Sequence, residues 1–395
     1  MASLSGASLL ASSACAGAGG PEPGSGQGEQ PLARCDEPRA DSPPAPVAVV
    51  QQALQGATFT GIGDLPGGEF LSEARDVDAA GERVVGIAAG VAGRQAVVWT
   101  RAAGLLSLDD GESAAHGISD SGCVIVGAAR TERAPQEGER TLAARWVGSE
   151  PVEFAPQPLS VYRLTEAVAV SGDGGTIIGR AYQDAFPSGF VWRGDEFSNR
   201  PPDNVENLAA NADGSVVVGR RTPSRSGGPS HALRNAEVLP YPFAPSCPSF
   251  ECTPCLTPGQ CTAAAYGVSA DGNFVVGTAV NREENGPDVA VQWLVDGGEI
   301  STTILSTSSA IARAVSADGR VVVGSAAPAG ESVATRWVDG DAESIAAALE
   351  AAGFSAEGWQ LTAATSVSDD GQHIVGTGIN PSGDPEGWLV RLPLP

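Results

Sequence analysis

The stretch AVSADGRVVVG, residues 314–324, decides the fold class of this chain. Its first residues are apolar or small, and they lead into an Asp-Gly pair whose glycine can adopt the positive φ of a tight turn. The run VVV then has the composition of a second strand, and three successive β-branched residues are typical of a strand covered on both faces. The stretch therefore predicts a β-hairpin that lies inside a stack of sheets.

The same pattern occurs seven times, each time over ten residues and without a gap. Every copy ends on a glycine, and these closing glycines lie between 40 residues (Gly179 to Gly219) and 58 residues (Gly219 to Gly277) apart. Repeats of that size indicate propellers, solenoids or similar arrays. We expect each closing glycine either to end the second strand or to let a neighbouring backbone come close. The copies begin at Val77, Ile118, Val170, Ala210, Val268, Val315 and Val367; the turn glycines are Gly81, Gly122, Gly174, Gly214, Gly272, Gly319 and Gly371; the closing glycines are Gly86, Gly127, Gly179, Gly219, Gly277, Gly324 and Gly376.

A third strand follows each hairpin and ends in tryptophan in five of the seven copies. Asn235 stands in the tryptophan position of the fourth copy, and Val390 in that of the seventh, where Trp388 lies two residues earlier. A fourth strand is expected after each tryptophan, as in GLLSL at residues 104–108. Four strands in roughly 40 to 50 residues are the size of a propeller blade. The five tryptophans are Trp99, Trp146, Trp192, Trp293 and Trp337.

The two ends of the repeat region complement each other. The seventh copy has its third strand but almost no chain left for a fourth, whereas residues 57–68 precede the first copy and belong to no unit. If the early segment supplies the missing outer strand, no sheet edge stays open. We therefore predict an all-β fold, a seven-bladed β-propeller of four-stranded blades that is closed by an N-terminal strand completing the last blade. Residues 46–395 would form this single domain.

The repeat resembles a known family. The pattern A-x-x-V-S-x-D-G-x-x-V-V-G … A-x-x-W, with IGDLPGGEFLSEARDVDAAGERVVG at residues 62–86, is similar to the HAF-type bacterial extracellular repeats. The resemblance covers about residues 57–393. It implies export and a β-rich, propeller-like body, and it supplies no catalytic residues to transfer to this chain.

Charge excludes one class of partner. The formal net charge is −24, and the chain contains no lysine, so all its basic side chains are arginines. Nucleic-acid binding needs a concentrated basic surface, which this composition does not offer. No stretch has the 18 or so uninterrupted apolar residues of a membrane-spanning helix. We expect a monomer that contacts a membrane only through an N-terminal lipid, if at all.

The first 45 residues differ in composition from the rest. A short apolar, small-residue run ends near Cys15 and is followed by a segment rich in Gly, Pro, Ser and Gln. This resembles the end of a bacterial lipoprotein signal with a flexible tether, and Cys15 would be the lipidated residue. The alternative is a disordered tail with an incidental cysteine. The first interpretation places the protein outside the cell or in the cell envelope.

Four cysteines lie in a proline-rich loop at residues 246–262. In an exported protein they would form two disulfides that hold together a loop without a core of its own, and three pairings are open. The alternative is a zinc site of four thiolates. We also expect Cys123 to be a small buried strand residue. The four loop cysteines are Cys247, Cys252, Cys255 and Cys261.

The aspartates of the repeat suggest either calcium or turn chemistry. Ala80 and Ser121 occupy the Asp position in the first two copies, and one carboxylate per turn is far from the six to eight oxygen ligands that calcium prefers. Asp before Gly is what the turn itself favours. We therefore expect neither metal nor cofactor, and structural turns at Asp173–Gly174, Asp213–Gly214, Asp271–Gly272, Asp318–Gly319 and Asp370–Gly371.

No catalytic residue can be named from the sequence. His116, His231 and His373 fall before a first strand, before a third strand and inside a second strand of different copies, which argues against a catalytic set. The one basic spot is formed by Arg220, Arg221 and Arg225 with His231. It could bind a carboxylate or an acidic sugar, or it is an ordinary solvated loop.

These observations favour a non-catalytic module that binds an extracellular protein or polysaccharide through variable loops. The alternative is an extracellular polysaccharide hydrolase or lyase with carboxylates at the central mouth of the propeller. Two carboxyl groups about 5 to 10 Å apart in a deep pocket would favour that alternative.

Overall fold

A computed structural model of the protein contains the predicted hairpins. It describes residues 56–131, 140–148, 152–156, 164–182, 187–198, 204–222, 230–243, 261–281, 286–328 and 330–394. The first fourteen strands are β1 (Thr58–Gly61), β2 (Gly67–Val77), β3 (Arg83–Gly90), β4 (Gly93–Thr100), β5 (Gly104–Ser107), β6 (Ser113–Ile118), β7 (Val124–Thr131), β8 (Arg140–Val147), β9 (Glu153–Phe154), β10 (Leu164–Val170), β11 (Ile177–Tyr182), β12 (Pro187–Arg193), β13 (Glu196–Ser198) and β14 (Val205–Ala210).

The second half continues the same alternation of long inner and short outer strands. Among the described residues, one helix, α1 (Ile345–Ala351), interrupts it, and the Ser344 hydroxyl caps that helix by accepting the Ala347 N–H. The strands are β15 (Val217–Arg221), β16 (His231–Arg234), β17 (Glu237–Val238), β18 (Cys261–Val268), β19 (Phe274–Asn281), β20 (Asp288–Asp296), β21 (Glu299–Ile304), β22 (Ala310–Val315), β23 (Val321–Ala326), β24 (Val333–Val338), β25 (Asp341–Ser344), β26 (Gln360–Val367), β27 (His373–Ile379) and β28 (Pro385–Arg391).

Consecutive strands pair antiparallel as simple meanders. Four sheets have the orders β2-β3-β4-β5, β14-β15-β16-β17, β18-β19-β20-β21 and β22-β23-β24-β25. The groups β6 to β9 and β10 to β13 are joined into one eight-stranded sheet by a single parallel pairing of Leu164 with Thr141. The fold is therefore all-β and built from groups of four strands.

The remaining sheet combines the two ends of the repeat region. Its order is β1-β28-β27-β26, and β1 pairs antiparallel with β28 from Thr58 opposite Arg391 to Gly61 opposite Trp388. Beyond β1, the Ile62 N–H donates to the Gly387 carbonyl at 3.0 Å. The expected pairing between the segment near Thr60 and the last repeat is present in this sheet.

The tryptophans fill the space between successive sheets. Trp146 is 2% exposed and packs against Val85 and Val98 of the preceding group. Trp293, fully buried, contacts Val216 and Val218 in the same way. A buried aromatic ring of this size removes roughly 150 to 250 Å² from water, so these residues dominate the contacts between sheets. The repeated tryptophan is therefore a core residue.

The hairpin turns are held by side chains from their own repeat. Ser269 donates through Oγ to Asp271 Oδ1 at 2.6 Å and accepts the Phe274 N–H at 2.9 Å. Asp271 also accepts the Asn273 N–H at 2.9 Å. Asn211 replaces the serine in the fourth copy and accepts the Val216 N–H at 2.8 Å. The turn aspartates thus bond within their own turns.

Several predicted features lie outside the described residues. They are the first 45 residues with Cys15, the loop residues Cys247, Cys252 and Cys255, and Arg225. Cys261 begins β18. Cys123 lies one residue before β7 and is only partly buried, so its prediction as a buried strand residue is wrong: the turn, and not the strand, positions it. Among the described residues, no helix is long and apolar enough to cross a membrane.

Candidate functional site

Each repeat carries a β-bulge at the same position of its first strand. In β18, for example, the pairing with β19 shifts between Ala265 and Gly267, which leaves Tyr266 as the extra residue. A bulge re-aims a side chain, and bulges are common beside functional sites. The seven extra residues, called here the bulge residues, are Arg75, His116, Val168, Leu208, Tyr266, Arg313 and Thr365.

The closing glycines make these bulges possible. A Cβ on Gly277 would lie 1.9 Å from the carbonyl oxygen of Ala264, and a Cβ on Gly324 would lie 1.9 Å from that of Ile311. β19 continues past Gly277 to Asn281, so the first expectation, that this glycine ends the strand, is wrong. The second expectation explains the glycine: the backbone of the neighbouring strand lies too close for a Cβ. Only glycine leaves room for the bulged strand.

All seven bulge residues line one central cavity. Its wide part has a volume of about 650 Å³ and is also bordered by Glu73 and Thr362. A narrower part of about 230 Å³ is lined by the same seven residues and by the hairpin residues Asp120, Gly172 and Asp369. The bulges therefore bring side chains from seven distant positions of the sequence together.

The bulge residues divide the cavity wall into two kinds of surface. The bulge residues of the last three and the first two repeats are polar. Those of the third and fourth repeats, Val168 and Leu208, are apolar. The five polar residues are Tyr266, Arg313, Thr365, Arg75 and His116. No bulge residue is a carboxylate. A cavity with one polar and one apolar side orients a ligand with both kinds of group.

His116 is held neutral between charged neighbours. Arg75 Nη1 donates to His116 Nδ1 at 2.7 Å, and its Nη2 donates to Glu73 Oε2 at 3.0 Å. Burial, with Arg75 and Arg180 nearby, lowers the pKa of His116 to about 3. Because arginine can only donate, the imidazole proton lies on Nε2, 3.8 Å from Glu166 Oε2.

The same network extends across the next two groups of strands. Arg180 bridges Glu166 at 3.1 Å and Glu206 at 3.5 Å. Arg220 donates to both carboxylate oxygens of Glu206, at 3.0 and 3.2 Å. Glu206 is only 4% exposed, and a buried carboxylate needs such partners. The network fixes side chains beside the cavity and occupies Arg220.

Arg313 differs from the other arginines of this region. Its side chain is exposed in the cavity, and no described residue forms an ion pair or hydrogen bond with its guanidinium. Tyr266, its neighbour in the ring of bulge residues, is partly buried. A planar guanidinium with free donors recognises carboxylate groups in a bidentate manner. This arginine is therefore the cation available to a ligand.

The predicted basic spot lies away from this cavity. Arg220 and Arg221 are on β15, and Arg221 pairs across the sheet with His231 on β16. Burial first, and then the charge of Arg221, lower the pKa of His231. None of the three lines the wide or narrow part of the cavity. The structure brings these three residues together but does not place them at the bulge residues.

Three carboxyl groups in the narrow part, those of Asp76, Asp120 and Asp369, have raised pKa values. Burial raises the pKa of Asp76 to about 6. Hydrogen bonds from Ser366 Oγ at 2.6 Å and from the Ile118 N–H at 2.9 Å lower this pKa, but by less than burial raises it. Burial, then Asp369 and Asp173, raise the pKa of Asp120 to about 6. The donors on Asp76 give it a structural role at the junction of three groups of strands.

The bulge residues are not identified by the repeat pattern of the sequence. They occupy the first x of A-x-x-V-S, a position that the repeat pattern leaves unspecified. The prediction that His116 lies before a first strand is wrong, because this residue lies within β6. The signal was the closing glycine, whose close contact marks the bulge opposite it. In the described residues, no group of three or more His, Cys, Asp or Glu side chains could hold a metal ion.

Comparison with known proteins supports the fold. No family model and no curated protein sequence matches the chain. An oligogalacturonate lyase from Vibrio parahaemolyticus superposes with a TM-score of 0.55 at 9% identity, covering 86% of this chain and 97% of that one. The β-propeller domain of the Trilobed protease from Pyrococcus furiosus gives 0.46 at 11% identity, covering 70% and 84%. TolB from Acinetobacter baumannii gives a TM-score of 0.40 at 13% identity. The superposition covers 75% of this chain and 66% of TolB.

At such low identities the likeness concerns the fold alone. The neighbours are β-propeller proteins, and the present chain shares their all-β construction from four-stranded sheets. The all-β and propeller parts of the prediction are thereby confirmed.

Proposed function

We propose that this chain is an exported β-propeller that binds a carboxylate-bearing extracellular oligosaccharide in its central cavity and does not catalyse a reaction. The observation that carries the proposal is the convergence of seven bulge residues on one cavity, with the guanidinium of Arg313 available in it. Membership of the HAF-type repeat family, lipidation at Cys15 and disulfides in the 246–262 loop are parts of the same proposal.

The proposal includes seven blades closed into a ring, with β1 as the outer strand of the last blade. Asp76 supports closure because its carboxylate accepts hydrogen bonds from Ile118 in the following repeat and from Ser366 in the last one. Successive hairpin tips are also hydrogen-bonded through the backbone: the Ala79 N–H donates to the Asp120 carbonyl, and the Asp120 N–H donates to the Gly172 carbonyl. One cavity bordered by residues of every repeat is what a closed ring produces.

The wide part of the cavity is large enough for one end of a short oligosaccharide. Its volume of about 650 Å³ falls in the range of ligand sites in proteins, roughly 300 to 1,000 Å³. Arg313 would bind the carboxylate, and the Tyr266 ring offers an apolar face to a sugar. Val168 and Leu208 would contact the less polar side of the ligand.

The net charge of −24 does not oppose such a ligand at close range. Exposed charges are screened beyond about 8 Å at physiological ionic strength, so the local guanidinium decides the interaction inside the cavity. The acidic exterior would instead disfavour long polyanions lying along the surface. We therefore expect short acidic oligosaccharides to bind better than long ones.

Calorimetric titration with acidic and neutral oligosaccharides of equal length tests this function. We expect binding of the acidic series, weakened about tenfold or more by Arg313→Ala because a charge-assisted hydrogen-bond pair is lost. Arg320→Ala is the matched control, since Arg320 is exposed in the same repeat and pairs with Asp339 at 2.7 Å. Equal affinity for both series, or no effect of Arg313→Ala, would refute the proposal; binding of acidic peptides in their place would redirect it to a protein partner.

A polysaccharide lyase or hydrolase is the second candidate function. It is favoured by Asp120, whose pKa of about 6 suits a proton donor and whose side chain lines the narrow part of the cavity. The same oligosaccharides, incubated with the protein, would then gain reducing ends or an ultraviolet-absorbing double bond. Loss of that product in Asp120→Asn would support catalysis, whereas intact oligosaccharides in the wild type support the binding function.

A further inference from the structure

The fourth repeat lacks the tryptophan that lies between neighbouring sheets in five of the other repeats; in the seventh, Val390 stands at that position and Trp388 lies two residues earlier. Asn235 stands opposite Val217, the register position at which Trp293 stands opposite Val275 and Trp192 opposite Ile177. Asn235 and Ala236 have positive φ values of 49° and 67° and form a tight turn that ends β16 early. The Asn235 side chain is tied to this turn, because its Oδ1 accepts the Val217 N–H at 2.8 Å.

A cavity of about 200 Å³ lies where the tryptophan is missing. Val191 and Ser198 of the preceding group line one side, and Val205, Val217 and Leu233 line the other. Glu206 also borders the cavity, and its carboxylate accepts hydrogen bonds from Arg220. In a neighbouring repeat the tryptophan is part of the core at this place: Trp192 belongs to one buried cluster with Val126 and Ala143 of the group before it. This cavity, called here the inter-sheet cavity, is separate from the central cavity with its bulge residues.

A second departure of the fourth repeat lines the same cavity. Asn207 occupies the first-strand position that is alanine in the other six repeats, as at Ala167 and Ala265. Its Nδ2 donates to the Phe190 carbonyl at 3.1 Å, which leaves Oδ1 as an acceptor to which no described residue donates. The repeat has thus lost an aromatic ring and gained a hydrogen-bond acceptor at one place.

We propose that the inter-sheet cavity binds a planar aromatic ring of indole size that carries an N–H donor. The ring would occupy the missing tryptophan's position between Val191 and Val217, and its N–H would donate to Asn207 Oδ1. A well-packed apolar cavity of about 150 Å³ is enough to bind benzene, so about 200 Å³ accommodates a bicyclic ring. The ligand is either a free indole-type molecule or a tryptophan side chain of a peptide.

Calorimetric titration of the full chain with indole tests the site, and 1-methylindole, which lacks the N–H, tests the acceptor. We expect indole to bind about tenfold more tightly than 1-methylindole, because one buried hydrogen bond changes the affinity by about that factor. Asn207→Ala, which restores the residue of the other repeats, should weaken indole to the level of 1-methylindole. N-acetyl-tryptophanamide distinguishes the sources: binding indicates a peptide side chain, and exclusion with indole still bound indicates a free molecule.

A variant that fills the cavity provides the decisive control. Val217→Phe should abolish binding of both indoles, and its thermal unfolding shows whether it is folded. Ile304→Phe adds the same ring on the outer strand β21, where Ile304 is 40% exposed, and should leave binding unchanged. Indole binding that survives Val217→Phe, equal affinity for the two indoles, or no binding to the wild type would each overturn the proposal.

Discussion

At the scale of single residues, glycine and aspartate determine the geometry and charge of the central cavity. The closing glycines have no space for a Cβ, because the bulged strand opposite brings a carbonyl oxygen to within 1.8 to 2.1 Å of where that atom would lie. Asp76 and Asp120 both titrate near pH 6 since burial disfavours their charged forms. Both effects can be tested by single substitutions.

Replacing Gly277 by alanine should destabilise the protein by about 3 kcal/mol, because the strand must move away from Ala264 or lose its bulge. Chemical denaturation measures the free energy of unfolding. Gly111→Ala is the control, since no heavy atom lies within 4 Å of a Cβ there. A Gly277→Ala protein as stable as the control would show that the bulge does not depend on this glycine.

Replacing Asp120 by asparagine should stabilise the protein at neutral pH. The pKa of Asp120 is raised from 3.8 to about 6, so the wild type loses stability as the pH rises from about 4 to above 6. The variant lacks this loss, and we expect a gain of about 1 kcal/mol at pH 7.5 after allowance for solvent screening, vanishing below pH 4. Unfolding measured at both pH values checks it, with the exposed Asp296→Asn as control. A gain that is independent of pH would contradict the assigned titration.

At the scale of the element, the repeating unit is a hairpin whose turn is closed by side chains. The hairpins and the tryptophan strands can be predicted from the sequence, because turn chemistry and β-branched runs are local properties. The bulge residues and the network from Glu73 to Arg220 cannot, because a bulge depends on a close contact between two strands and the network joins four groups of strands. Such contacts have no local signature.

Removing the hydroxyl of Ser269 should weaken its turn. Ser269→Ala loses the bond to Asp271 and leaves the Phe274 N–H without its acceptor, which costs about 2 kcal/mol. Thermal or chemical unfolding measures the loss. Ser301→Ala, at an exposed position of β21, should change stability by less than about 0.5 kcal/mol. Equal effects of the two substitutions would contradict the structural role of the turn serine.

At the scale of the whole molecule, the fold depends on the pairing between the two ends of the repeat region. β1 pairs with β28, and Ile62, which is 4% exposed, packs among Trp99, Val375 and Leu389 from both ends of the repeat region. A pairing between the two ends gives a repeat protein a cooperativity that an open array of neighbours lacks. The missing fourth strand of the seventh copy, together with the unassigned residues 57–68, was sufficient to predict this pairing.

A charge at Ile62 should therefore destabilise the whole repeat region. Ile62→Asp buries an unpaired carboxylate and should lower the free energy of unfolding by about 4 kcal/mol. Urea denaturation should remain one cooperative transition, shifted to lower concentration. Val91→Asp, at a position 85% exposed, is the matched control and should have little effect. A separate early transition confined to the first and last repeats would indicate an open array.

A crystal structure of residues 46–395 with a short acidic oligosaccharide bound tests the central claim most directly. It should show seven four-stranded blades in a closed ring, Thr58–Gly61 paired with Pro385–Arg391, and the ligand carboxylate on Arg313 among the bulge residues. A different number of blades, an N-terminal strand paired elsewhere, or a ligand bound outside the central cavity would contradict the account.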